Sequence, residues 1–206
     1  MSSSKLRLVA LLGSTRAKRA NDAVANFVLS RVQKNGDFEN VVVLDPRDSE
    51  SGFFNKLMDK AYFHYKPGEG DHPPKELERV ASQLRDADCF LVITPEYNHS
   101  VSPSLSNMMN YFGSSVYSYK ASGVATYSAG NWGGTRSGVA LRPFLSELGC
   151  LPVSAQAHFP TVWRKMSNGE LNPDEVHIKM TDNMLKQLSW HANAMKSFTE
   201  QCGLPK

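Results

Sequence analysis

The polar segment Thr94-Pro95-Glu96-Tyr97-Asn98 follows without a break on the apolar run Cys89-Phe90-Leu91-Val92-Ile93. A short run of β-branched and aromatic residues closed by a proline reads as a strand buried on both faces, and ligands of open α/β sheets collect beyond the carboxyl ends of such strands. Chemistry is therefore expected directly after Ile93. Asn98 offers donor and acceptor groups to the edge of a flat heteroaromatic ring, and Tyr97 offers a stacking surface; a plain turn with an incidental tyrosine is the competing reading. Glu96 has the chemistry of a general acid or base. Apart from His99, no carboxylate or histidine adjoins it in sequence to tune it, so it is expected to shape the loop rather than to move protons.

Two further loops have matching character. Gly13-Ser14-Thr15-Arg16-Ala17-Lys18-Arg19-Ala20-Asn21 joins an apolar run to a helical pattern and places two hydroxyls and three cations at a helix start. Free amides and the positive end of the helix dipole favour an anion there. A phosphate monoester could accept from Ser14, Thr15 and Asn21 while Arg16 supplies a planar fork. The loop has neither the Gly-x-Gly-x-x-Gly of dinucleotide folds nor the Gly-Lys-Ser/Thr of nucleoside-triphosphate loops, which argues against kinase and ordinary dehydrogenase chemistry. Asp22 has the wrong charge for a phosphate and is expected to point away, supporting the helix. The third loop, Ser128-Ala129-Gly130-Asn131-Trp132-Gly133-Gly134, has glycines that permit close approach or positive φ, and amides that could face negative charge on a ring. Trp132 could cover that ring or simply pack.

Strands and helices alternate so as to carry these loops. Strands are expected at Leu6 to Leu12, Val41 to Leu44, Cys89 to Ile93, Val124 to Tyr127 and about Leu151 to Ala157. Between them lie helices starting at Asn21 or Asp22 (either able to cap), at Pro74, at Ser102-Pro103 and at Thr135, with a C-terminal helix at about 174–201. Residues 46–74 form an irregular excursion with an aromatic centre of Phe53, Phe54, Tyr62, Phe63 and Tyr65, read as a local mini-core. Five alternations imply right-handed crossovers and an α/β fold: a doubly wound, five-stranded parallel sheet of order 2-1-3-4-5, with the 13–21 and 95–100 loops flanking its switch point.

The 206 residues, 41% hydrophobic, suit one domain. With 23 Lys+Arg against 20 Asp+Glu and no block of like charge, nothing suggests a nucleic-acid or membrane-surface partner. Cys89, Cys150 and Cys202 are widely spaced and odd in number, which indicates neither a disulfide framework nor a zinc site; Cys89 is expected to pack within its strand. The first apolar run is too short to span a membrane and lacks a cleavage site, so a cytoplasmic location is expected.

Taken together, the three loops resemble the NAD(P)H-dependent FMN reductase family, flavodoxin-like proteins that include quinone, chromate and azo reductases. Its Gly-Ser-x-Arg with a later Asn is matched by Gly13, Ser14, Arg16 and Asn21, its Pro-Glu-Tyr-Asn by Pro95 to Asn98 with Leu105 and Asn107 in the next helix, and its Ser-x-Gly-x-x-Gly-Gly by Ser128, Gly130, Gly133 and Gly134. The resemblance implies FMN with its phosphate in the first loop, near Ser14, Arg16, Arg19 and Asn21, and its ring between Pro95-Glu96-Tyr97-Asn98 and Ser128, Ala129, Gly130 and Gly133. It also implies NADPH or NADH as hydride donor, a quinone, azo compound or similar small acceptor, and a homodimer or homotetramer; because a flavin would carry the hard chemistry itself, no catalytic side chain is expected. A flavin-binding electron carrier or redox sensor acting on a protein partner is the alternative; the basic residues Arg16, Lys18 and Arg19 favour the reductase, because flavodoxin carriers are typically acidic. The chain departs from the pattern at Arg19, where a hydroxyl is common, at Pro103, one residue late, and at Ser106 and Asn110, where Lys and Asp are frequent; the helix changes put inherited subunit contacts in doubt.

Overall fold

The computed structural model describes residues 5–48, 54, 56–63 and 72–205. Strands β1 (Leu6–Leu12), β2 (Phe38–Leu44), β3 (Cys89–Pro95), β4 (Lys120–Tyr127) and β5 (Cys150–Pro152) pair in the order β2-β1-β3-β4-β5, with every contact parallel. This is the flavodoxin-like order expected. All seven residues of β3 are buried, and its period of two divides them between the layers. Cys89, Leu91 and Ile93 join Leu8, Ala10 and Leu12 beneath α1 (Asn21–Asn35) and the long C-terminal helix, Glu175–Cys202. Phe90 and Val92 join Val9 and Leu11 beneath α2 (Lys75–Asp86), α3 (Pro103–Asn110), the one-turn α4 (Ser114–Tyr117) and α5 (Thr135–Glu147). Every Leu or Phe so buried contributes about 1.5–3 kcal/mol, so the central strands form a rigid base for the loops at their ends.

The fifth strand differs from expectation. It is two short pieces, β5 and β6 (Ala157–Phe159), both paired to β4, with Val153 to Gln156 lying opposite only Gly123 and Val124. Pro152 has no amide to continue the ladder, and Gln187 of the C-terminal helix draws in the Ala155 amide (2.9 Å) and the Ser154 hydroxyl (3.0 Å). The bulge advances the register, so β6 delivers His158 and Phe159 beside Thr126 and Tyr127.

Beyond β6 a hairpin of β7 (Met166–Ser167) and β8 (Glu170–Leu171) turns at Asn168 (φ 52°) and Gly169 (φ 80°), the dihedral signs of a type I′ turn. It leads into α6, the C-terminal helix, whose Met184, Leu185 and Leu188 are fully buried in the layer above β1, β3 and β4. Residues 56–63 of the irregular excursion lie along α3. Asn107 accepts from the Met58 amide (2.8 Å) and donates to the Lys56 carbonyl (2.7 Å), and Phe54 meets Tyr111 edge-on. Phe53 and Tyr65, placed with this aromatic group by sequence, lie outside the described residues.

Candidate functional site

The three loops converge on a cavity of about 400 Å³ beyond the carboxyl ends of β1, β3 and β4, within the range usual for small-molecule sites. The first loop leaves β1 at Gly13, whose amide donates to Ile93 (2.9 Å). A Cβ at this position would lie 2.0 Å from the Thr94 hydroxyl, so only glycine lets β1 and β3 run this closely into the site. The Gly13 carbonyl is held by two hydroxyls of the α3 start, Ser102 at 2.5 Å and Ser104 at 3.0 Å. Ser102 also accepts from the Leu105 amide as N-cap, with Pro103 following at the first helical position.

Ser14 is buried, and its Oγ lies 3.0 Å from the Tyr97 hydroxyl; the exposed Arg16 guanidinium sits 4.2 Å from the centre of the Tyr97 ring. Tyr97 thus fastens the second loop to the first and presents one ring face to a cation. The structure corrects two expectations at the helix start. Asn21 does not cap α1: Ala20 occupies that place, and the Asn21 side chain turns inward, accepting at Oδ1 from the Tyr127 hydroxyl (3.0 Å). Asp22 does not point away from the loop: its carboxylate is drawn onto Arg19 (Nε, 2.8 Å) by opposite charge. Arg19 is buried among acids, also meeting Asp45 (Nη1, 2.8 Å). Burial works against its charge, but the hydrogen bonds it donates to Asp45 and Asp22 outweigh it and hold Arg19 firmly protonated.

The second loop reverses tightly. Asn98 (φ 50°) and His99 (φ 62°) are both left-handed, and Tyr97 and Ser100 exchange backbone hydrogen bonds across them. Before this turn the Glu96 carboxylate is almost wholly enclosed. It accepts from Arg136 three times, at the backbone amide (3.1 Å), at Nε (2.8 Å) and at Nη2 (2.6 Å). Burial raises the carboxyl's pKa, yet Arg136 prevails and Glu96 lies below the usual glutamate range. Because Arg136 is in the first turn of α5, Glu96 serves as a remote cap for that helix, whose own N-cap Gly134 has no side chain. It is a brace between two loops and not an acid.

The third loop is stitched to β6. The Ser128 amide donates to Phe159 (3.2 Å) and the Thr161 amide to Gly130 (2.9 Å). Gly133 (φ 60°) is required by the protein's own backbone, since a Cβ there would meet the Pro160 nitrogen at 3.0 Å. Its carbonyl accepts from Thr126 Oγ1 (2.9 Å), which leaves that hydroxyl to accept from His158 Nδ1 (2.7 Å). Burial lowers the pKa of His158, consistent with a neutral ring that donates from Nδ1.

Of the residues singled out by sequence, Ser14, Arg16, Arg19, Pro95, Glu96 and Tyr97 line the cavity, as do Asn98, Ser128 and Ala129. Asn21, Gly130 and Gly133 stand behind or beside it. Lys18, counted among the loop's three cations, also lines the wall; sequence reasoning missed Tyr127 and Trp163 in it, and Asp45 and Arg136 behind it. Tyr127 was detectable as the last residue of a buried strand; burial, then its neighbour Tyr97, raises its pKa well above the ordinary phenol range, so it is a neutral donor. Trp163 carries no local signal, being delivered by the β6 register and the turn Val162–Lys165.

Comparison with known proteins agrees with this geometry. The chain belongs to the NADPH-dependent FMN reductase family, whose pattern matches residues 6–164. It is 35% identical over 81 residues to a quinone reductase of Pseudomonas putida (37% of this chain, 44% of that protein). It is 28% identical over 109 residues to the quinone reductase of Escherichia coli K12 (53% and 51%). The chain therefore spans about half the length of the curated relatives it matches. In fold it is similar to FerB, a flavoenzyme NAD(P)H:(acceptor) oxidoreductase from Paracoccus denitrificans, with a TM-score of 0.60 at 18% identity over 97% of this chain and all of that one. An NADH:FMN oxidoreductase, EMOB, gives 0.58 at 16% identity over 94% and 89%.

Proposed function

We propose that the chain is an NAD(P)H-dependent oxidoreductase that holds FMN in the three-loop cavity and reduces a quinone or similar small acceptor. One observation carries the fit: Asn21 Nδ2, fully buried at the phosphate-binding turn, has no hydrogen-bond partner among the described residues. A buried donor left unsatisfied costs about 1–3 kcal/mol, which a ligand oxygen would recover. Ser14 and the exposed Arg16 add a hydroxyl and a cation for the phosphate. FMN, when bound, supplies the hydride chemistry.

The chain's own contribution is to bind and orient. The Glu96–Arg136 brace keeps the two ring-facing loops at a fixed separation, and Tyr97 and Trp163 offer apolar surface that excludes water. Glu96 is held ionised and Tyr127 neutral, so neither wall supplies a titrating acid near neutral pH, in keeping with chemistry carried by the cofactor. The first amides of α5 are engaged by Glu96, which leaves the 129–131 amides, without an acceptor among the described residues, as the donors of this loop that could meet negative charge on a ring.

The test is direct. Flavin-free protein mixed with FMN should develop a bound-flavin spectrum that bleaches on adding NADPH and returns with a quinone. No spectral change with FMN would remove this reading, while bleaching at a negligible rate would favour an electron carrier for a protein partner.

We further infer a single-domain homodimer in the cytoplasm. Trp132 and Trp163 are large, exposed and close to the cavity loops, as residues of a subunit contact are, and the three free cysteines suit a reducing compartment. No helix among the described residues is long and apolar enough to cross a membrane. Light scattering on the purified chain decides between monomer, dimer and tetramer.

A further inference from the structure

Arg19 spends every proton it has. A guanidinium carries five N–H donors, and here Nε donates to Asp22 Oδ1 (2.8 Å), Nη1 to the Ser14 carbonyl and Asp45 Oδ1 (2.8 Å), and Nη2 to Asp22 Oδ1 and Asp45 Oδ2 (each 2.5 Å). Its side chain is 3% exposed. Its charge is also answered locally, by two carboxylates that share a second cation, Arg47, at 3.7 Å from Asp22. Pulling Arg19 out towards a ligand would break two ion pairs at a buried site, which typically costs more than such a pair contributes when intact.

The contact with Ser14 has a geometric effect. In a trans peptide the C=O and the following N–H point in opposite directions. With the Ser14 carbonyl drawn to Arg19, the Thr15 amide is turned away from it. The preceding peptide is set likewise: Ser102 and Ser104 take the Gly13 carbonyl, so the Ser14 amide faces away from α3. Two successive amides of the turn are thus oriented by side chains before any anion arrives, an arrangement suited to cradling one.

We propose that Arg19 is a positioning residue of the phosphate-binding turn that makes no contact with the phosphate, and that Asp45, at the end of β2, is the residue that holds it in that role. The proposal rests on the reading of the cavity as an FMN site. It assigns phosphate attraction to Arg16 and Lys18, and makes Asp45, 26 positions beyond Arg19, a determinant of cofactor affinity.

Titration of the flavin-free full chain with FMN and with riboflavin tests it by fluorescence quenching. Wild type binding FMN no more tightly than riboflavin would remove the phosphate reading itself, and the inference with it. Given a phosphate preference, Arg19→Gln and Asp45→Asn are each expected to weaken FMN tenfold or more while changing riboflavin less than threefold, which also shows that the variants are folded. The double variant should be no worse than either single, since the two act as a unit. Arg19→Lys, which keeps the charge and loses the fork, should fail like Arg19→Gln. The salt dependence of FMN binding should persist in Arg19→Gln and shrink in Arg16→Ala. Unchanged or tighter FMN binding by Asp45→Asn, losses that multiply in the double variant, or full recovery with Arg19→Lys would each overturn the proposal. Should Asp45→Asn fail to fold, Asp45→Glu and Arg19→Lys decide the matter, since a positioning role tolerates the first better than the second.

Discussion

The two ends of the sheet are built from the same kinds of residue and put them to opposite use. At the amino end Lys120, the first residue of β4, donates to three carbonyls: Leu84 (2.5 Å) and Arg85 (2.8 Å) in the last turn of α2, and Val116 (3.0 Å) in α4. Asp88 nearby accepts from the Arg7 amide (2.8 Å) and from Lys196 (3.0 Å). These charges close helix ends and strand turns, and their hydrogen bonds are spent. At the carboxyl end the same economy is deliberately incomplete. Arg19 and Glu96 are saturated, but Asn21 Nδ2 has no hydrogen-bond partner among the described residues, Arg16 rests on the Tyr97 ring, and the adjacent Asn98 and His99 both hold left-handed dihedrals. An unpartnered buried atom is not peculiar to this end, since Gln83 Oε1 near the end of α2 also has no partner among the described residues; what sets this end apart is that Asn21 Nδ2 lies next to the over-determined groups of the cavity loops.

Removing Lys120 should produce the largest effect. Lys120→Ala leaves carbonyls of two helix ends without a donor in a buried corner, and is expected to lower the unfolding free energy by about 2–4 kcal/mol while FMN affinity stays within twofold. Its pH dependence has a definite sign. Burial lowers the Lys120 pKa to about 8, Asp88 opposing, against 10.5 for an unperturbed lysine. Between these values the unfolded chain binds more protons, so this group makes stability rise with pH from about 8 to 10.5. That slope should vanish in Lys120→Ala; urea melts at pH 7.5 and 10 compare the two, and an identical slope in both proteins would refute the assignment.

At the other end the same kind of deletion should have the reverse profile. Arg16→Ala is expected to cost about 1–3 kcal/mol of FMN binding, the range for a hydrogen bond to a charged group, with unfolding free energy within about 0.5 kcal/mol of wild type because the residue is exposed. A melt shifted as far as that of Lys120→Ala, with FMN affinity intact, would erase the distinction between the ends.

Glu96 lies between these extremes, saturated yet in the cavity wall. Glu96→Gln should lower stability by about 1–2 kcal/mol, less than for a fully buried pair because Arg136 is half-exposed and can be hydrated. Turnover should fall less than tenfold, and a thousandfold loss would restore Glu96 as an acid–base group. Its folded pKa lies below the ordinary 4.5, so its contribution is present above about pH 4.5 and is lost as pH falls through the lower folded value. Wild type should therefore be more acid-sensitive than Glu96→Gln in melts below pH 5.

How much of this was legible beforehand follows from where the information lies. Strand order and the three loops could be read because a parallel strand buried on both faces, such as β3, has an unbroken apolar run, and because helix starts carry local marks such as Ser102-Pro103. Asn168-Gly169 also marked its hairpin locally, and was overlooked among polar residues. The partners were not legible. Arg136 stands 40 positions from Glu96, and Asp45 26 from Arg19; nothing in local pattern distinguishes a cation that will meet a phosphate from one that will be claimed by two aspartates. The split of the fifth strand depended likewise on Gln187, some 30 residues further on.

The smallest effect concerns the turn at the cavity edge. A type I′ turn takes Asn then Gly most readily, and this chain has Asn98 followed by His99 at φ 62°. A left-handed conformation costs a non-glycine residue about 1–2 kcal/mol, while glycine gives back part of that through its freer unfolded state. His99→Gly should therefore stabilise the fold by about 0.5–1 kcal/mol. If the strain is local to the turn, FMN affinity stays unchanged, because Tyr97 is already fixed by Ser14 and Arg16. If His99 instead holds Tyr97 in register with the first loop, the relaxed turn will weaken FMN binding even as the protein melts later. A gain in thermal stability accompanied by a loss in FMN affinity would show that this end of the sheet trades stability for geometry.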